Sequence, residues 1–236
     1  MLVAAAVCPC PPLLVPEVAA GAAPELDALR AVCLDAIGVL AAARPDRLVV
    51  VGPADEAGRG AHPQGAAGSF RGFGVDLEVR LGAAKTAPER ELPPSLAVGA
   101  WLLSRTDWAD APVEALGVAE SLPPDRAAAT GRELAASAPR VALLVMGDGS
   151  ACRTVKAPGY FDERAEAFDA AAARALGAAD TAALAALDEE PAAALLASGR
   201  ACWQVLAGAG EGAGLSGRLL REEAPYGVGY FVAAWS

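Results

Sequence analysis

Residues 141–162, VALLVMGDGSACRTVKAPGYFD, decide the fold. Val141, Ala142, Leu143, Leu144, Val145 and Met146 form an apolar run too short for a helix, and it fits a strand buried on both faces. Such a strand belongs at the centre of a sheet. It runs into Gly147, Asp148, Gly149 and Ser150, read as a turn that needs glycine's conformational freedom and sets small polar groups at the carboxyl end of the sheet. In open α/β sheets that rim is where ligands bind. Residues 161–176 then read as a helix, completing a unit of strand, polar loop and helix.

Upstream, Leu2 to Cys8 is strand-like and is broken by Pro9, Pro11, Pro12 and Pro16 into a stiff extended loop. Leu26, Leu29, Val32, Cys33, Ile37 and Leu40 recur with the period of an amphipathic helix over residues 24–43, with Pro24 suited to its first turn. RLVVVG at 47–52 is a second buried strand, followed by Pro53, Ala54 and Asp55. Residues 56–74 are glycine-rich, carry the only histidine, His62, and read as a mobile loop with that histidine solvated. Val75, Leu77, Val79 and Leu81 alternate with charged residues, the pattern of a half-exposed edge strand. Helices follow at 94–104 and 124–137, with a short strand at 112–118 between them. Beyond the central unit, short helices at 181–187, 191–197 and 199–209 precede closing strands at 215–222 and 228–234. Strands alternating with helices imply one α/β domain over residues 1–236, with a central, mostly buried mixed sheet flanked by helices.

Composition bounds the function classes. The 236 residues are 54% hydrophobic, enough for one well-buried core, and the net charge of -10 is spread along the chain. Lysine occurs only at Lys85 and Lys156, which argues against nucleic acid and anionic membrane as partners. No apolar run approaches the ~20 residues that span a bilayer. The amino terminus lacks the basic segment of a signal peptide, and five cysteines without framework spacing suit reduced thiols, so a cytoplasmic protein is expected.

Four segments read together, CPCPPLLVPE, VVVGPAD, MGDGSACRTVKAPGYFD and EEAPYGVGYF, resemble in order and spacing the class III extradiol ring-cleavage dioxygenase superfamily, the LigB-like and Memo-like proteins. The resemblance covers nearly the whole chain. It implies a LigB-like fold, and active members hold ferrous iron on two histidines and one glutamate, with a further histidine as acid and base. At the matching positions this chain carries Cys10, Ala54 and Ala151 in place of the histidines, and Glu223 at the glutamate. Alanine neither ligates a metal nor transfers a proton, and His62 falls on none of these positions.

The remaining polar residues define the candidates. Cys10, Asp55, Asp148, Ser150, Glu223 and Tyr226 are placed at the pocket, with Asp148 and Cys152 as candidate catalytic groups. Tyr160 and Tyr230 are read as core aromatics, and Cys33 and Cys202 as helix packing. No cofactor is expected. If a metal binds, Cys10 and Glu223 are its donors, and thiolate favours zinc over ferrous iron. Two readings follow: a non-catalytic protein binding a small molecule or a partner, with self-pairing into a homodimer expected, or a divergent enzyme using Cys10, Asp148, Cys152 or Glu223.

Overall fold

The apolar runs become neighbouring strands of one sheet. In the computed structural model, which describes residues 1–83 and 90–236, β1 (Leu2–Cys8) leads through a proline-rich turn and α1 (Pro16–Ala19) to α2 (Asp27–Ala42) and β2 (Arg47–Pro53). Then come β3 (Gly60–His62), β4 (Ala67–Ser69), β5 (Glu78–Arg80), α3 (Pro94–Ser104), β6 (Val113–Val118), α4 (Pro124–Ala136) and β7 (Val141–Met146). The chain closes with α5 (Arg164–Ala178), α6 (Thr181–Ala185), α7 (Glu189–Ala194), α8 (Arg200–Gly210), β8 (Gly217–Glu223) and β9 (Tyr230–Trp235). The seven-stranded sheet runs β3-β6-β2-β7-β1-β9-β8. β6, β2, β7 and β1 are parallel, and β3, β9 and β8 add antiparallel margins.

β7 is buried at every residue because helices cover both of its faces. Ala142, Leu144 and Met146 pack with Leu40 of α2 and Leu102 of α3, while Val141, Leu143 and Val145 pack with Leu176 of α5 and Val205 of α8. The same alternation divides Val50 from Val51 in β2 and Val232 from Phe231 in β9.

This layering creates a crevice. The chain leaving β1 turns to the α2 face, whereas the chain leaving the adjacent β7 turns to the α5 face. Loops diverging from neighbouring parallel strands form the switch point at which open α/β sheets bind ligands.

Two expectations are corrected. The alternation over 75–81 does not build an edge of the main sheet: only Glu78–Arg80 is strand, paired with β4 in a separate two-stranded ribbon. Its inward residues, Val79 and Leu81, pack under the α3 layer, so the period reports burial against helix. Residues 56–74, read as a mobile loop, contain β3 and β4, and His62 is 1% exposed with Nε2 bonded to the Gly58 carbonyl at 2.8 Å. β3 is the sheet margin and β8 the other, which removes the first basis for expecting a homodimer.

α4 and α8 meet backbone to backbone. A Cβ on Gly131 would stand 2.0 Å from the Val205 carbonyl oxygen, and one on Gly208 would stand 2.1 Å from that of Ala128. Gly131→Ala is therefore expected to lower stability by about 1–3 kcal/mol through overpacking, despite the ~1 kcal/mol that alanine gains in helix propensity. A thermal midpoint equal to or above that of the unmodified chain would show that the helices can separate freely.

Candidate functional site

The carboxyl ends of β1, β2, β6 and β7 share one rim. Glu223 reaches the same rim because it pairs with Tyr230 at the start of β9, which runs antiparallel to β1. Cys10, Ala54, Ala151 and Glu223, distant in sequence, are thus brought to one end of the sheet. A cavity of about 650 Å³ opens beside Ser69, Arg71 and Phe73.

Asp148 occupies the switch point. Its Oδ1 accepts the Cys10 amide at 2.8 Å, tying the loop after β7 to the loop after β1, and its carbonyl accepts the Gly199 amide at 2.9 Å. Its own amide donates to Ser198 Oγ at 3.4 Å. Burial pushes the half-buried Asp148 carboxyl up to about 7, although the bond from the Cys10 amide acts in the opposite direction. Cys10 is 7% exposed, and burial, then the charge of Asp148, holds its thiol well above the usual range. Tyr230 is 2% exposed and stays protonated for the same two reasons, in the same order.

The glycines around Asp148 serve a different purpose from the one read in the sequence. Neither Gly147 nor Gly149 has a positive φ. Space is the constraint: a Cβ on Gly147 would lie 2.5 Å from Gly199 Cα, and one on Gly149 would lie 2.7 Å from Phe231.

Other candidates have structural engagements. Ser150 is fully buried and donates its amide and hydroxyl to Asp169 at 2.7 and 2.8 Å, so its hydroxyl is engaged by α5. Cys152 is 2% exposed, lies within 3.5 Å of the Gly159 and Leu195 carbonyls as a donor, and has its pKa raised by burial, which makes it a poor nucleophile. Asp55 is exposed and accepts the Gly58 amide at 2.9 Å, a turn bond of its own loop. Tyr226 donates to Glu25 at 2.9 Å and is half-buried. Glu223 is held by Arg221 at 2.5 Å, while its neighbour Glu222 is exposed. Tyr160, read as core, is 65% exposed, and its backbone is left-handed, φ 63°.

Asp169 is absent from the sequence-derived candidates, yet it organises the loop. It is fully buried on α5 and also accepts Arg153 Nη1 at 3.1 Å. Ala165, Asp169, Ala172 and Leu176 form one buried stripe, where a lone carboxylate needs partners, but in an alanine-rich helix the sequence does not mark which face is buried. Arg200 and Gln204, one turn apart on α8, escape sequence reasoning for the same reason.

Among the described residues, no group of three His, Cys, Asp or Glu side chains is placed to share a metal ion. No described helix is long and apolar enough to cross a membrane.

No protein-family model matches this sequence, and no curated protein matches it. Among solved structures, the chain is similar to the uncharacterized protein JW3007 from Escherichia coli K12, with a TM-score of 0.56 and 14% identity over 99% of each chain. At that identity the likeness carries the fold alone: a single α/β domain built on a seven-stranded mixed sheet flanked by helices.

Proposed function

We propose that this chain is a divergent LigB-like protein whose rim binds a small organic molecule, and that it does not cleave aromatic rings with iron. The donor chemistry at the four rim positions carries this reading. Ala54 and Ala151 have no donor atom, burial keeps the Cys10 thiol protonated, and Glu223 is already paired with Arg221. A facial triad needs three protein donors, so these residues do not fit ferrous iron. The setting is cytoplasmic, in keeping with an acidic chain carrying five free cysteines.

One observation favours a second reading, a divergent enzyme. Asp148, at the switch point, titrates at about 7, where a carboxyl can both take and give a proton at neutral pH. In that case Asp148 is the acid and base, Tyr230 and the Cys10 thiol remain protonated beside it, and Cys152 takes no part.

Anaerobic loading with ferrous iron, followed by catechol or protocatechuate in air, is expected to give no yellow ring-fission product above a protein-free control. Product formed in proportion to protein and abolished by Glu223→Ala would overturn the reading, because it would require Glu223 as a ligand together with two donors that Ala54 and Ala151 do not supply.

A further inference from the structure

Arg200 is a buried cation that no carboxylate pairs with among the described residues. It opens α8 and is 1% exposed. Nη1 donates to the Leu122 carbonyl and to Gln204 Oε1, both at 2.8 Å, and Nη2 donates to the Glu120 carbonyl. All three acceptors are neutral, and Nε has no partner. Glu189 and Asp188 act on the guanidinium only from a distance, and neither forms an ion pair with it among the described residues. A charge taken out of water is costly unless something pairs with it.

Arg200 forms part of the wall of a cavity of about 230 Å³. Ala192, Ala193, Leu196 and Ala197 supply an apolar side to that cavity, and Glu120 and Glu189 add two carboxylates to its lining. Glu120 is exposed and Glu189 half-buried, so their charge lies nearer solvent than that of the guanidinium. This combination selects among anions. A dianion such as phosphate is repelled by two carboxylates, while a single carboxylate satisfies Arg200 with less repulsion and leaves a hydrocarbon chain for the alanine and leucine side.

We propose that this cavity is a binding site for a small aliphatic monocarboxylate, its head group against Arg200 and its chain along Ala192, Ala193, Leu196 and Ala197. The site adjoins the rim: Glu120 follows the carboxyl end of β6 and its charge acts on Cys10, while Ser198 Oγ and the Gly199 amide bond the backbone of Asp148. It goes beyond the function proposed above and does not depend on it.

The test compares hexanoate, 1-hexanol and inorganic phosphate by titration calorimetry on the full chain near pH 7.5. Hexanoate is expected to bind at least about tenfold more tightly than either of the others. Removing Arg200 risks the fold, since it holds the carbonyls of the β6–α4 loop, so the variant of choice is Ala193→Trp, at an exposed position on the cavity wall. It is expected to weaken hexanoate by at least about tenfold while leaving the thermal midpoint in place. Equal binding of hexanoate and hexanol, tighter binding of phosphate, no saturation by hexanoate at roughly 10 mM, or unchanged binding to Ala193→Trp would each overturn the proposal.

Discussion

Asp169→Ala is expected to cost about 3–5 kcal/mol of stability, the range for removing one partner from a buried charged network. The carboxylate has no solvent exposure, and three donors converge on it: the Ser150 amide, the Ser150 hydroxyl and Arg153 Nη1. Its loss leaves the buried Ser150 groups unpaired and strips the close partner from an Arg153 side chain that is 23% exposed. The surrounding backbone is shaped to this side chain, since a Cβ on Gly229 would lie 2.5 Å from Oδ2 and one on Gly149 would lie 2.8 Å from Oδ1. For a domain stabilised by ~5–15 kcal/mol, the loss is a large fraction of the whole. Urea unfolding with an unchanged slope and a lowered midpoint would report it. Asp169→Asn, which keeps an acceptor for the Ser150 amide, should fall between the two. A loss below about 1 kcal/mol in the alanine variant would mean that the network is ornamental and that Asp148 is held in place by its bonds to Cys10, Ser198 and Gly199.

The central sheet was legible because its signal is local. LVAAAVC, RLVVVG and VALLVM are runs that only a strand covered on both faces can bury, and they form β1, β2 and β7. α3 has the bounds its sequence predicts because Pro94 fixes its first turn. α5 starts at Arg164 and not at 161, since Tyr160 is left-handed and Asp162 accepts the Arg164 amide at 2.9 Å, holding the chain in a turn. β3 was hidden because its three residues show one inward side chain, His62, among glycines and alanines. No periodicity can be read from one residue.

The candidate site was legible in part. A rim follows from strands ending in polar turns, so Asp148 could be named from the sequence. Its bond to Cys10, 138 residues away, could not, because it depends on β1 and β7 being neighbours. The engagement of Ser150 was hidden by the same distance: its partner Asp169 sits in an alanine-rich helix whose buried face is defined only by what packs on it.

Asp148→Asn is expected to make the protein more stable at pH 8 and nearly unchanged at pH 4. Burial raises the carboxyl from an unfolded value of 3.8 to about 7. A group whose folded pKa lies above its unfolded value binds protons more tightly when folded, so stability falls as pH rises through that window. The full displacement corresponds to about 4 kcal/mol at most. Asparagine keeps the oxygen that accepts the Cys10 amide and carries no charge, so it should remove this penalty without disturbing the loop. Urea midpoints at pH 4, 6 and 8 should show a gap between variant and unmodified chain that opens with pH, reaching about 2–4 kcal/mol at pH 8. A gap of the same size at every pH would show that Asp148 ionises as an ordinary carboxylate and would leave the second functional reading without support. The expected direction bears on function because the ionised form of Asp148 costs the fold stability at neutral pH. Residues that lower stability where the protein works are characteristic of sites kept for chemistry or binding. For the enzyme reading, the same substitution removes the proton acceptor, so any activity found should fall by about 10²- to 10⁴-fold and lose its pH break near 7. For the binding reading, affinity for a ligand that donates to Asp148 should decline below that pH and become independent of it in the variant.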